Sequence, residues 1–121
     1  MSKFLVMAGL LLASCQAIPE TQAVADVHAF ETGQELLALC DERSAHLSKC
    51  MGYIEAAHDM LDILAALKDM PPRVCVSLGA RPSSGQLRLV ALKYLKANPN
   101  HLHWSASYSV LLALIQAYPC H

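Results

Sequence analysis

From Phe30 onward apolar residues recur at three- and four-residue spacing, and no segment sustains an alternation of period two. That periodicity predicts an all-α domain of four helices. Thr32-Gly33-Gln34-Glu35 has the capping-box spacing, in which the threonine accepts from the backbone near Glu35 and the glutamate reaches back, so a short first helix is predicted to about Cys40. A long second helix is predicted from Ser48 or Cys50 to Lys68, stopped by Met70-Pro71-Pro72. Val74 to Pro82 reads as loop. Ser83-Ser84-Gly85-Gln86 repeats the capping spacing and opens a third helix to Ala97, broken by Asn98-Pro99-Asn100. A fourth helix is predicted from about His103 to Ala117, with Pro119 as its stop.

At 100° per residue, Ile54, Ala57, Leu61, Leu64 and Ala65 form the inner stripe of the second helix, widened by Tyr53 and Met60. Glu55, Asp59 and Asp62 fall on the opposite side, and His58 lies at the margin, one turn from Ile54 and one from Asp62. On the third helix Leu87, Val90, Ala91, Tyr94 and Leu95 point inward. Leu89 and Leu92 point the other way, among Arg88, Lys93 and Lys96, which predicts burial on two sides, against another helix or in a homodimer.

The first residues change the setting. Lys3, the apolar run Phe4 to Ala13 and the small residues after it read as a secretory signal peptide over residues 1–17, cleaved before Cys15 or after Ala17. The run is shorter than the roughly 20 apolar residues a spanning helix needs. Leu12-Ala13-Ser14-Cys15 also resembles a lipobox, which makes Cys15 a candidate for lipidation and membrane anchoring. Residues 18–29 carry no periodicity and read as a flexible tether, followed by one domain over 30–121.

Charge is segregated along the chain. All 10 acidic residues lie between Glu20 and Asp69, whereas Pro71 to His121 holds only basic ones. Either the acidic second helix lies against the basic third, or the asymmetry serves a protein partner. Catalytic and metal chemistry finds little support. Glu55-x-x-His58 has the spacing of di-iron bundles but no second copy. His101, His103 and His121 lack a recognised zinc spacing and fit a turn with capping histidines. His58 is two helical turns from Cys50, and Ser105, Ser107 and Ser109 stand in no nucleophile elbow. No phosphate loop or stacking platform for nucleic acid is present, so no enzyme, cofactor or metal is predicted.

The run Phe30 to Leu37 with Cys40, then Cys50-Met51-Gly52-Tyr53-Ile54 and Asp59, Cys75, Gly85-Gln86-Leu87, Lys93-Tyr94-Leu95, Pro99, Ala113-Leu114 and Tyr118-Pro119-Cys120 resembles the Rap/Tai immunity family. Ala56 departs from it, standing where a glycine is usual. The resemblance implies a small periplasmic all-α protein, often dimeric, that binds and blocks a peptidoglycan amidase delivered by type VI secretion. An envelope lipoprotein with an adaptor role and a small metal-binding or hydrolytic protein are the alternatives.

Once Cys15 is set apart, four cysteines allow three pairings. Cys40 with Cys50 is expected because the pair brackets a short polar turn; Cys75 with Cys120 would tie the central loop to the chain end. Binding is expected from segments outside helices: Arg73 to Ser84, with Arg73 and Arg81, as the inserting loop, and Asn98 to Trp104, with His101, His103 and the single Trp, as its flank.

Overall fold

A computed structural model describes Val27 and residues 29–67 and 81–119 of the chain. Among these it is all-α: α1 (Gly33–Leu39), α2 (Leu47–Ala66), α3 (Ser84–Ala97), a 3-10 turn (Pro99–His101) and α4 (Ala106–Ala117). Both expected capping boxes form. The Thr32 hydroxyl accepts from the Glu35 N–H at 3.3 Å, and the Glu35 carboxylate accepts from the Thr32 N–H at 2.7 Å. Ser83 and Gln86 repeat this at the start of α3.

The core lies where the four helices converge. Leu36 of α1, Ile54 and Leu61 of α2, Leu87, Ala91 and Leu95 of α3, and Val110 and Leu114 of α4 are all buried there. The Cys40–Cys50 disulfide forms as expected and is fully buried, with its Cα atoms 5.1 Å apart. It closes the polar turn between α1 and α2, so these helices leave a common covalent corner.

A second tie joins the start of the domain to the segment before α4. The Gly33 and Gln34 N–H groups donate to the carbonyls of Trp104 and Leu102, and the Ala106 N–H donates to the Glu31 carbonyl, each at 2.8 Å. Thr32 and Ser105 thereby form an isolated antiparallel bridge. The backbones approach so closely that a Cβ on Gly33 would stand 3.2 Å from the Leu102 carbonyl oxygen. Glycine at this position answers a packing demand.

Three expectations need correction. Leu92 is buried, whereas Leu89 is 59% exposed: α3 is covered by α1 as well as by α2 and α4, so its buried arc is wide enough to take Leu92. Met60, expected inside, is 54% exposed because the space between α2 and α4 opens at that level. The last helix begins at Ala106, since the backbone of Leu102 to Ser105 is engaged in pairing with the α1 entrance, and Ser105 caps the helix. Cys15, Arg73, Cys75, Cys120, His121, the signal segment and most of the tether lie outside the described residues. The expectations attached to them, including the second disulfide, fall there too.

Candidate functional site

The turn after α3 gathers the aromatic residues. The Asn98 side chain donates to the Tyr94 carbonyl at 2.8 Å, closing the end of α3, and Pro99 then starts the 3-10 turn. His101 is held from two sides: its Nδ1 lies 3.3 Å from the Tyr94 hydroxyl, and its ring stacks on Trp104 with centroids 3.7 Å apart and planes 9° from parallel. His103 meets Trp104 edge-on at 6.2 Å, and Tyr108 lies 5.6 Å from it. Trp104 is half-buried, His103 is exposed, and the Trp104 carbonyl is fixed by Gly33. Burial raises the Tyr94 phenol above its ordinary pKa, so Tyr94 stays a neutral donor or acceptor toward His101. The result is a rigid aromatic knuckle with one edge in solvent.

Arg81 is exposed at the opposite end of α3. At 1.5 Å per residue, the 14 residues of α3 set the two ends about 21 Å apart. Arg81 thus stands a helix length away from His101, His103 and Trp104, while residues 73–80 of the expected inserting loop lie outside the described residues. Arg81 instead borders a hollow of about 410 Å³ with Glu55, His58, Asp59 and Asp62 of α2. His58 sits at the core edge as expected, its Nδ1 3.7 Å from the Asp62 carboxylate, while its Nε2 is buried with no hydrogen-bond partner among the described residues.

The basic face of α3 answers a different set of acids from the one expected. Arg88 donates from Nε and Nη2 to the Cys40 carbonyl at 2.9 and 2.8 Å, and its Nη1 lies 4.0 Å from Glu42. The neutralisation is with the turn after α1, because the buried disulfide brings that turn against α3. No Lys or Arg among the described residues forms an ion pair with Glu55, Asp59 or Asp62. Leu89 stands exposed beside this basic face.

Reasoning from sequence missed one surface. An apolar groove of about 450 Å³ runs between α2 and α4, lined by Val27, Tyr53, Ala56, Met60, Tyr108 and Leu111 among others. The signal was present in the spacing of Tyr53, Ala56, Met60, Ile63 and Leu67, but it merged with the core stripe of the same helix.

The Ser105 and Ser107 hydroxyls bond to each other at 2.7 Å, and the Ser109 hydroxyl is buried with no partner among the described residues. Among the described residues no three His, Cys, Asp or Glu side chains are placed to hold a metal ion. Residues 32–120, from the cap of α1 through all four helices, match the family of Rap1a immunity proteins. The chain belongs to the Rap1a immunity protein family. No curated protein and no solved structure was found to match it. Membership of the Rap1a family points to a protein that acts on a secreted effector by binding it. None of its described helices is long and apolar enough to cross a membrane.

Proposed function

We propose that this protein is a periplasmic immunity protein that binds a peptidoglycan amidase delivered by type VI secretion and covers its catalytic cleft, without chemistry of its own. The observation that carries this reading is the family match over residues 32–120. The signal-peptide pattern of residues 1–17 agrees with it, since an inhibitor must stand where the toxin acts. So does the Cys40–Cys50 disulfide, which suits an oxidising compartment.

Contact with the amidase is assigned to the ends of α3, where side chains project from turns and can enter a concave site. Of the two ends, the knuckle of His101, His103 and Trp104 is the stronger candidate. Trp104 is a residue type enriched in binding hot spots and is already held in place by His101 and Gly33. Arg81 carries charge to the other end but stands beside three carboxylates.

Self-association through α3 is weakly supported once Leu92 is inside. Burying Leu89 of both protomers would contribute about 3–6 kcal/mol, no more than the low end of the roughly 4–15 kcal/mol that association costs. A homodimer would need a further surface.

The test combines genetics with binding. A strain lacking this gene should lyse under attack by its siblings, and the protein should co-purify with, and inhibit, a peptidoglycan amidase encoded beside it. Unimpaired survival of that strain, together with no binding to such an amidase, would overturn the reading in favour of an envelope lipoprotein anchored through Cys15.

A further inference from the structure

One row of apolar side chains on α2 starts from Tyr53, half-buried against the core, and continues into solvent in a way the core does not require. Tyr53, Ala56, Met60, Ile63 and Leu67 follow one another at spacings of three, four, three and four, the a/d repeat of a coiled-coil seam. Met60, Ile63 and Leu67 are 54%, 52% and 61% exposed. The Leu67 N–H still donates to the Ile63 carbonyl at 3.0 Å, so helical geometry holds to the end of the row. At its Tyr53–Met60 end the row forms one wall of the groove facing Tyr108 and Leu111 of α4. A seam beside a groove is the shape that receives a helix lying on its apolar face.

Charge decides what kind of helix. Along one edge of the seam run Glu55, Asp59 and Asp62, with Asp59 at the position that flanks a coiled-coil core and its side chain 79% exposed. A second copy of this chain answers that edge poorly. In an antiparallel pair of α2 helices the acidic edge meets itself, and in a parallel pair it meets Ala57 and Leu64; neither supplies a cation. An anionic lipid surface would be repelled by the same carboxylates.

We infer that α2 and α4 form a docking surface for an amphipathic helix of another protein, with apolar residues at three- and four-residue spacing and Lys or Arg along its edge. The knuckle of His101, His103 and Trp104 takes no part, although Arg81 borders the far side of the acidic edge, and the docking surface does not depend on the amidase reading. It gives the protein a second face, one that stays open while the knuckle at the C-terminal end of α3 is engaged.

The test uses the exported protein and two synthetic three-heptad peptides, both with Leu at a and d, one flanked by Lys and the other by Glu. The Lys peptide should bind, with amide shifts confined to α2 and α4, and the Glu peptide at least tenfold more weakly. Ile63→Glu should weaken the Lys peptide tenfold or more, and Glu55→Lys combined with Asp59→Lys should reverse the preference. Both variants change exposed side chains, and circular dichroism checks that they fold. Equal binding of the two peptides, or shifts elsewhere, would overturn the inference. So would conversion of a wild-type dimer to monomer by Ile63→Glu, which would assign the seam to a second copy. Deletion of residues 18–26 raising Lys-peptide affinity tenfold would assign it to the chain's own tether. Amidase inhibition measured alongside keeps the two proposals separable: loss of one readout leaves the other standing.

Discussion

The guanidinium of Arg88 makes two hydrogen bonds to a single acceptor, the carbonyl of Cys40, at 2.9 and 2.8 Å. Cys40 is at once the C-terminal cap of α1 and one half of the buried disulfide, so Arg88 ties α3 to the covalent corner of the fold. The side chain is only 11% exposed, and its charge offsets the carbonyl ends at the helix terminus. Hydrogen bonds involving a charged group contribute about 1.5–3 kcal/mol, so Arg88→Met should destabilise the domain by about that much in urea unfolding. Arg88→Lys should recover only part of the loss, because an ammonium cannot reproduce the planar fork.

The disulfide itself should stabilise the domain at least as strongly. Cys40 and Cys50 are separated by 10 positions. In the chain-entropy model, closing a loop of that length contributes about 3 kcal/mol, a substantial share of a small domain's stability. Replacing both cysteines by Ser should lower the unfolding free energy by about that amount. Peptide mapping without reductant should recover a Cys40–Cys50 fragment. The same map tests the expected Cys75–Cys120 pair, which falls outside the described residues.

Two glycines should respond in opposite directions to the same substitution. A Cβ at Gly33 would lie 3.2 Å from the Leu102 carbonyl oxygen and 3.2 Å from Leu95 Cδ2, and the first of these is backbone held by pairing. Gly33→Ala should therefore cost about 1–3 kcal/mol, as overpacking does. Gly52 lies within α2 with nothing within 4 Å of a Cβ, so Gly52→Ala should stabilise by about 0.5–1 kcal/mol through helix propensity alone. Thermal melts of the two variants should shift to opposite sides of the parent.

The α1 cap introduces a pH dependence. Hydrogen bonds from the Thr32 N–H and hydroxyl hold the Glu35 carboxyl below its ordinary pKa, with a smaller pull from Lys49. A carboxyl depressed in the folded state adds stability above its unfolded pKa, and that stability is lost as pH falls through the folded value. Asp41 acts in the same sense through the Arg43 N–H. The urea midpoint should decline on acidification through the carboxylate range. Glu35→Gln, which still accepts from Thr32, should flatten that part of the decline; an unchanged profile would show that the cap does not contribute to it.

Helices, caps and the first disulfide were legible in the sequence because each rests on neighbours within one turn or one short loop. Thr32 with Glu35 and Ser83 with Gln86 are local relationships, and so is the turn bracketed by Cys40 and Cys50. What a helix wheel does not contain is which other helices lie around it. Leu92 went inside because α1 closes over that side of α3, and Met60 stayed outside because α2 and α4 diverge beside it. The same limit hid the site geometry. Arg81 and Trp104 both flank α3 in sequence, and only the helix's length shows that they occupy opposite ends.

That separation yields a discriminating prediction for the proposed inhibition. The proposed inhibition places one end of α3, the knuckle, in the catalytic cleft, with the other end about 21 Å away. Substitutions at the two ends should then differ sharply in their effect on the amidase. Trp104→Ala, which removes the ring stacked on His101, should weaken binding by about 2 kcal/mol, roughly thirtyfold in Kd. Trp104→Phe should retain much of the affinity by keeping an aromatic face against His101. Arg81→Ala should change affinity severalfold at most, because three carboxylates, Glu55, Asp59 and Asp62, border the same hollow and weaken its pull on an acidic partner. Loss of the Trp104 contacts also touches the core side of the knuckle, so each variant's unfolding midpoint is measured alongside its Kd, and only affinity lost beyond the fraction unfolded counts. The reverse ranking, with Arg81→Ala abolishing binding and Trp104→Ala binding like the parent, would move the inhibitory contact to the α2–α3 end of the molecule.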